Sequence, residues 1–495
     1  MAKICLCLTG KTLERDLEIL NKYRPYIDVA ELRADCLSNE ERFSIRRFPE
    51  LAGLPVVLSI RRKQDGGQFD FGENARIVLF SMALAFAETD ARHNFAYIDL
   101  EEDMELPALE EAARAFGTRI IRSFHSMAGP DSDLLGRMKS MYRVGDEIVK
   151  AAVRADSLDD VARLFQIARI LENKEKIIIG MGDDALCTRV LAKKLGSHLC
   201  YTSVKGEADF PPAAPGQIDP IELDGLYRFR SVTQDAEIYG ILGYPLKATS
   251  SPIFFNKVFE RENKDAMYIP FPSRSVAPFF RLADEIGLRG ASVTVPHKES
   301  VLPYLAAKSY EAEAAGACNT IVRIEDGWSG YNTDAGGFSS SLLDFIGKKD
   351  FKGGRFTIVG AGGAARAVAF EVYKRKGRAL ILNRNRARAQ QLASPYRFEH
   401  GCLDADGFRK MKKFSDIIVQ TTSVGMEPDT ADDPLRGYRF TGKETVMDII
   451  YKPERTALLK RAAEAGCRVQ NGADMLRRQA ITQYRIFFGK DYPED

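Results

Sequence analysis

Histidine is scarce. The chain has five in 495 residues, and none stands at ligand spacing with cysteine or another histidine, so no metal is expected. Its eight cysteines are scattered without a C-x-x-C pair, the pattern of reduced thiols in a cytoplasmic protein, and Cys5 and Cys7 alternate along one strand as packed side chains would. Neither sign of charge prevails: 71 Lys and Arg against 69 Asp and Glu leave +2, which gives no reason to invoke nucleic acid or a membrane surface. No apolar run approaches the length that spans a bilayer. The opening Met-Ala-Lys-Ile-Cys-Leu-Cys-Leu enters a strand pattern at once, leaving no room for a signal or transit peptide. What remains, 45% hydrophobic and 28% charged, suits a soluble globular enzyme too long for one core, so two or three domains are expected.

One stretch carries a cofactor signature. Thr357-Ile-Val-Gly-Ala-Gly-Gly-Ala-Ala-Arg366 joins a buried strand, Phe356 to Val359, to a helix from Ala364 to Lys374. Gly360, Gly362 and Ala365 hold the G-x-G-x-x-A positions, and the first-turn N–H groups can hold a pyrophosphate. The next strand, Ala379 to Leu382, ends where an NAD enzyme carries Asp or Glu for the ribose hydroxyls; here stand Asn383, Arg384 and Arg388, suited to a 2′-phosphate. The cofactor expected is NADP. The plainer alternative is a doubly wound domain whose helix start is merely basic.

Ahead of that domain, apolar β-rich runs beginning at Ile4, Ile27, Pro55, Phe95, Arg119, Glu147, Lys176 and Leu199 alternate with amphipathic segments such as Leu13–Tyr23, Asn74–Ala87, Ala108–Ala115, Leu158–Leu171 and Leu186–Leu195. Eight such units without a glycine fingerprint favour a closed (β/α)8 TIM barrel, usually about 250 residues, over an open sheet. Chemistry in such barrels sits at the carboxyl ends of strands. Those ends carry Glu31, Arg33, Arg61, Asp99, Glu101, His125 and Lys150. Lys150 has apolar neighbours on both sides, so its ammonium is expected to be partly desolvated, which favours the neutral amine a Schiff base requires. An edge position or an ion pair in the barrel is the equal alternative for a single strand lysine. His125 on the preceding strand end adds an acid/base group suited to carbonyl chemistry.

Ala30-Glu-Leu-Arg-Ala-Asp35, Ser59-Ile-Arg61 with Gly66-Gly67, Ser123-Phe-His125, Ile148-Val-Lys150 and Ala214-Pro-Gly-Gln-Ile218 resemble the type I 3-dehydroquinate dehydratases over most of residues 1–225. The resemblance implies an imine between Lys150 and the C3 ketone of 3-dehydroquinate, with His125 moving protons at C2. It places Glu31, Arg33, Arg61, Arg189 and Gln217 around the substrate. Asp65 stands where that family has Glu before the glycine pair and is carried over as a catalytic residue. Ala213 and Cys7 stand where members often have Ser.

After a turn-rich stretch, Arg228 to Ala236, the second half resembles shikimate dehydrogenase over nearly its whole length. The matching segments are Gly243-Tyr-Pro245, Thr249-Ser-Ser-Pro252, Ser292-Val-Thr-Val-Pro-His-Lys298, Gly316-Ala-Cys-Asn-Thr320, Asn332-Thr-Asp334, Thr422-Ser423 with Gly425, Met447-Asp-Ile-Ile-Tyr451 and Gly472 to Gln479. Lys298 and Asp334 become the implied catalytic pair; Asp334 also suits the opening of a helix near Gly336. Thr249 and Ser251 would hold the substrate carboxylate, and Thr294, Asn319, Tyr451 and Gln479 would line the ring pocket. The implied cofactor set is Gly360, Gly362, Gly363, Ala364, Asn383, Arg384, Arg388, Thr422 and Gly472. Ala248-Thr249 replaces the usual His-Ser pair, and Ser292 the usual Asn.

The expected division is a barrel over 1–227, a substrate domain over 237–335 to which 473–495 returns, and an NADP-binding Rossmann domain over 336–472. The expected function is dehydration of 3-dehydroquinate to 3-dehydroshikimate, then reduction to shikimate with NADPH. These small molecules are the expected partners, and sequence leaves the oligomeric state open. The rival readings are an NAD-dependent quinate/shikimate dehydrogenase in the second half, and a non-catalytic regulator that senses quinate-type ligands.

Overall fold

The structure, a computed structural model, describes residues 2–85, 90–143, 146–246 and 249–493. It divides into two compact units, Met1–Gly240 with Pro252–Leu288, and Ile241–Ser251 with Arg289–Asp495.

The first unit is built on eight parallel strands: β1 (Lys3–Leu8), β2 (Val29–Arg33), β3 (Val56–Ser59), β4 (Tyr97–Glu101), β5 (Arg119–Ser126), β6 (Ile148–Arg154), β7 (Lys176–Met181) and β8 (Leu199–Thr202). Their order is β7-β6-β5-β4-β3-β2-β1-β8, each neighbour parallel, with helices such as Leu13–Tyr23, Pro107–Ala115 and Leu158–Ile170 between them. Thr12 and Ser157 cap two of these helices, accepting from the N–H of Arg15 and Asp160. The ring is nearly closed: β7 meets the run leading into β8 at the bridge Lys176–Ser197, where the His198 N–H donates to the Lys176 carbonyl at 2.7 Å. The segment expected as a helix over Leu186–Leu195 is helical only over Leu186–Val190 and continues as turns.

Strand alternation sorts the barrel interior. Cys5, Val29, Val57, Tyr97, Ile121, Ile148, Ile177 and Leu199 form an apolar floor. Two residues further along each of several strands the inward side chains become Glu31, Ser59, Asp99, Ser123 and Lys150, all buried. The floor excludes water from below and leaves the polar layer facing the carboxyl-terminal mouth.

Pro252–Leu288 lies within the sequence-defined 237–335 segment, yet it groups with the barrel. Helix Val276–Ile286 packs on Leu158–Ile170, with Arg281 bidentate to Asp159 at 2.5 and 2.7 Å and Gln166 donating to Glu285 at 2.8 Å. Strands β9 (Glu237–Gly243) and β10 (Ala266–Pro272) flank the helix Ser251–Arg261.

In the second unit β11 (Leu288–Val293) pairs antiparallel with β13 (Thr320–Ile324), which pairs antiparallel with β14 (Gly327–Tyr331); β12 (Ala307–Lys308) runs parallel to β14. Helix Thr333–Ile346 follows, capped by Asn332, whose side chain accepts from the Ala335 N–H; Asp334 sits in its first turn rather than at its cap. That helix packs on Ala473–Phe488, and a Cβ at Gly337 would stand 3.0 Å from the Met475 carbonyl.

A six-stranded parallel sheet completes the unit: β15 (Arg355–Val359), β16 (Arg378–Leu382), β17 (Glu399–Gly401), β18 (Ile417–Gln420), β19 (Thr445–Asp448) and β20 (Arg468–Gln470). Its order β17-β16-β15-β18-β19-β20 reverses direction between β15 and β18, the switch point at which doubly wound sheets bind nucleotides. Among the described residues no helix is long and apolar enough to cross a membrane.

Candidate active sites

The barrel mouth holds a cavity of about 90 Å³, lined by Glu31, Arg33, Arg61, Asp65, His125, Lys150, Arg189 and Gln217 with Cys7 and Tyr201. All eight barrel site residues expected from sequence therefore meet in one place. Lys150 Nζ donates to Asp99 Oδ2 at 2.8 Å and stands 4.2 Å from the centre of the Tyr201 ring. Arg61 reaches the same Asp99 oxygen at 2.8 Å, Glu101 Oε1 at 2.7 Å and Ser123 Oγ at 3.0 Å. Behind it, Arg76 pairs with Glu101 Oε2 at 2.6 Å.

These charges set the protonation states. Burial alone would raise Asp99, but Arg61 and Lys150 outweigh it and hold the carboxyl well below its usual range. His125 is pushed well below 6.5, first by loss of water and then by the cations of Arg61 and Lys150, so its imidazole is neutral. Its Nδ1 is buried without a hydrogen-bond partner among the described residues. Strand pairing sets Lys150 beside Ser123 and His125 beside Ala152, one layer nearer the mouth.

The guanidinium groups differ in what they have left to offer. Arg33 is bidentate to Asp35 at 2.9 and 2.8 Å, and Arg61 is committed as above. Among the described residues Arg189 donates only to carbonyls, those of Gly216 at 2.9 Å, Tyr201 at 3.2 Å and Pro215 at 3.3 Å, and burial lowers its affinity for the proton. At the rim, Asp65 receives Arg62 Nε at 2.6 Å while burial raises its carboxyl. Gly67 cannot carry a side chain, because a Cβ would stand 2.1 Å from the Arg61 carbonyl. Gln217 donates to Cys7 Sγ at 3.2 Å; burial, and then Glu31, push that thiol up, so it is neutral.

In the second unit Lys298 Nζ pairs with Asp334 Oδ2. Asn319 donates to Asp334 Oδ1 at 2.9 Å, to Thr333 Oγ1 at 2.9 Å and to Gln479 Oε1 at 3.3 Å, and accepts the Thr333 N–H at 2.8 Å. The helix start beginning at Thr333, the turn after Cys318 and the final helix thus converge on one ammonium. Thr249, Ser251 and Thr294 stand outside this network: the Ser251 N–H faces Thr249 Oγ1 at 3.4 Å, and the Thr294 N–H donates to the Leu242 carbonyl at 2.8 Å. Ala248 lies outside the described residues. Tyr451 is half-buried beyond β19, where Asp448 accepts the Ile450 N–H at 3.0 Å and the Thr456 hydroxyl at 2.8 Å. Burial pushes the Asp448 carboxyl up to about 7.

The glycine turn fits a dinucleotide phosphate. Gly360 has φ +113°, and a Cβ there would meet Thr421 Oγ1 at 2.6 Å and Thr422 Cγ2 at 2.9 Å. Around Gly362, at the helix N-terminus, nothing lies within 4 Å of where a Cβ would be. Ala364 belongs to the first turn of helix Gly363–Lys374. Gly363 abuts Lys298, whose Cβ would be 2.8 Å from an added Cβ, so the turn and that lysine are in contact. Gly472 passes against β19, where a Cβ would stand 2.0 Å from the Ile449 carbonyl. At the end of β16, Asn383 donates to the Asn385 carbonyl at 3.0 Å, and Arg384 and Arg388 are exposed. Asn385 caps the helix Arg386–Ala393 by accepting the N–H groups of Ala387 and Arg388. Among the described residues no group of three or more His, Cys, Asp or Glu is placed to hold a metal ion.

Two supporting residues escape a reading by motif. Arg76 is fully buried in a helix, where the only signal is an arginine on an otherwise apolar face. Thr333 was visible only as the middle of Asn332-Thr-Asp334, although its hydroxyl and N–H both serve the Asn319 network.

Comparison with known proteins matches residues 4–234 to the family model for type I 3-dehydroquinase. Residues 241–321 match that for the shikimate dehydrogenase substrate binding domain, and 345–428 that for shikimate / quinate 5-dehydrogenase. The chain is similar to a bifunctional 3-dehydroquinate dehydratase/shikimate dehydrogenase, chloroplastic, of Arabidopsis thaliana, at 28% identity over 94% of this chain and 79% of that one. It is 34% identical to a shikimate dehydrogenase (NADP(+)) of Caldanaerobacter subterraneus subsp. tengcongensis, over 53% of this chain and 96% of the relative. A solved shikimate dehydrogenase from Aquifex aeolicus shares 31% identity over 53% of this chain and 96% of that one, with a TM-score of 0.49.

Proposed function

From the premise that the chain belongs to the shikimate dehydrogenase family, with a type I 3-dehydroquinase domain fused ahead of it, we propose that it performs two successive reactions. It dehydrates 3-dehydroquinate to 3-dehydroshikimate in the barrel and reduces that ketone to shikimate with NADPH in the second half. The domains proposed are a dehydratase barrel over 1–227, a substrate domain over 237–335 rejoined by 473–495, and an NADP-binding domain over 336–472. The observation that carries the reading is that each unit contains its own lysine–carboxylate pair, Lys150 with Asp99 and Lys298 with Asp334.

In the barrel, Lys150 Nζ adds to the C3 ketone, and loss of water gives an iminium whose nitrogen accepts electron density from C2. Neutral His125 takes the C2 proton. The C1 hydroxyl leaves as water with a proton returned by His125, and water then hydrolyses the imine and frees Lys150. Arg189 receives the substrate carboxylate, being the guanidinium of the cavity that meets only carbonyl acceptors among the described residues. Glu31 and Gln217 meet the hydroxyls, Arg33 and Arg61 hold the polar layer in place, and Asp65 assists proton exchange at the rim.

In the second half, bound NADPH supplies the hydride. Lys298 gives the carbonyl oxygen its proton and stabilises the charge that develops there. Asp334 orients the ammonium, and Asn319 holds Asp334. Thr249 and Ser251 grip the carboxylate, with Thr294, Tyr451 and Gln479 along the ring. Gly360, Gly362, Gly363 and Ala364 cradle the pyrophosphate, Asn383, Arg384 and Arg388 take the 2′-phosphate, and Thr422 and Gly472 complete the seat. The eight free cysteines suit a reducing cytoplasm.

A coupled assay tests the whole reading. The purified chain, given 3-dehydroquinate alone, should produce the conjugated enone of 3-dehydroshikimate, and added NADPH should then be consumed. Enone formation without NADPH oxidation would refute the second half of the proposal, and its absence the first.

A further inference from the structure

Glu299 follows the lysine assigned to the reduction, but its carboxylate faces the dinucleotide turn. Oε2 lies 3.0 Å from Arg366 Nη2, and Oε1 lies 3.9 Å from Arg388 Nη2. The two arginines belong to different helices, Gly363–Lys374 and Arg386–Ala393, so one carboxylate bridges the glycine turn and the basic end of β16. Its backbone is fixed on either side. The Cys318 N–H donates to the Lys298 carbonyl at 2.7 Å, and the Val301 N–H to the His297 carbonyl at 3.0 Å. Arg366 is the tighter partner and the less exposed of the two, with 20% of its side chain exposed against 58% for Arg388. Glu299 is therefore anchored by Arg366 and can only loosely hold Arg388.

An exposed ion pair contributes little to stability. Its place matters more here, because a fixed negative charge stands beside a guanidinium assigned to a phosphate. We propose that Glu299 tunes the discrimination between NADP and NAD, its carboxylate competing with the 2′-phosphate for Arg388. The inference rests on the NADP reading of this site. A phosphate monoester carries between one and two negative charges near neutral pH. Seating it requires Arg388 to turn away from Glu299 and brings two like charges towards one another, a cost that falls as their separation grows. A ribose hydroxyl in the same place meets neither obstacle. The sign follows: Glu299 weakens binding of the phosphorylated nucleotide and leaves the other unchanged. Because Arg366 keeps the carboxylate in place, the competition is not relieved by the glutamate swinging into solvent.

Titration calorimetry on the intact chain tests this without any hydride transfer, using 2′,5′-ADP and 5′-AMP as probes. Glu299→Gln keeps the shape of the side chain and removes its charge. It should bind 2′,5′-ADP roughly threefold to tenfold more tightly, an advantage that shrinks as salt is added, while 5′-AMP stays within about twofold. In an Arg388→Ala background the same substitution should give no gain. A structural role for Glu299 would instead weaken both nucleotides together. Unchanged or weaker 2′,5′-ADP binding, equal tightening of both probes, or a gain that survives Arg388→Ala would each overturn the proposal. A wild-type chain that binds 2′,5′-ADP no better than 5′-AMP would overturn the NADP reading and this inference together. Preference in the wild type without an effect of Glu299→Gln would overturn the inference alone.

Discussion

Lys150 Nζ and Asp99 Oδ2 are 2.8 Å apart, and the oxygen that Lys150 meets is also 2.8 Å from Arg61 Nη2. The lysine is buried, as its apolar strand neighbours suggest, but it is not isolated. It shares one carboxylate oxygen with a guanidinium. The ion pair that the sequence offers as one reading of Lys150 is present, and the imine-forming amine is the role proposed for the same side chain. In the proposed mechanism Lys150 must break its hydrogen bond to Asp99 before it adds to the ketone.

Borohydride added with 3-dehydroquinate or 3-dehydroshikimate should trap the imine and add the ligand's mass to one peptide containing Lys150. Lys150→Ala should show neither adduct nor useful dehydration, and His125→Ala should form adduct but turn over very slowly. Mass spectrometry of the digest decides it, and an adduct on another lysine would overturn the assignment.

The pH dependence of the barrel follows from His125. Its folded pKa lies well below 6.5, so below pH 6.5 the unfolded chain takes up this proton before the folded one does. Stability from this group is therefore complete above 6.5 and is lost as pH falls towards the folded pKa. The base stays neutral in the same window, so dehydration should show no acid limb centred at 6.5. A kcat/KM profile for dehydration that falls off with an apparent pKa at the ordinary histidine value would contradict the burial argument.

Lys298→Ala should abolish reduction, by at least about a thousandfold if proton donation and charge stabilisation are both lost. Dehydration should be untouched, because Lys150 and its cluster belong to the other compact unit. The two rates measured on one preparation give the answer. Loss of both activities with an unchanged circular dichroism spectrum would mean that the two centres are coupled.

Arg384 and Arg388 should give NADP at least a tenfold advantage over NAD in kcat/KM, since hydrogen bonds to charged groups contribute about 1.5–3 kcal/mol each. Arg384→Ala should remove most of that advantage and leave NAD turnover nearly intact. Equal use of both nucleotides by the unaltered chain would favour the NAD-dependent alternative.

The barrel was legible because its strands are short, apolar and regularly spaced. All eight expected strands begin within two residues of those observed, and helix Leu13–Tyr23 keeps its expected limits. The glycine turn was legible because Gly360 needs a positive φ that few other residues tolerate. Local choices among equals were not. Asn332, Thr333 and Asp334 are all good caps, and only the fold decides that Asn332 accepts the Ala335 N–H and frees Asp334 for Lys298. Contacts between distant segments were not legible either. Nothing in Arg76 or Glu101 alone announces their 2.6 Å pair, nor in Pro252–Leu288 that it groups with the barrel.

Arg189 leaves the barrel one anion short. Arg33, Arg61 and Arg76 each face a carboxylate, whereas Arg189 is buried among carbonyl oxygens. A buried cation without a counter-ion weakens a fold, and the carboxylate ligand proposed for Arg189 would supply the anion that the described residues do not. Occupancy would then do more than precede the proposed catalysis: a bound carboxylate would neutralise the protein's own interior, and the barrel should be most firmly held together while it is filled.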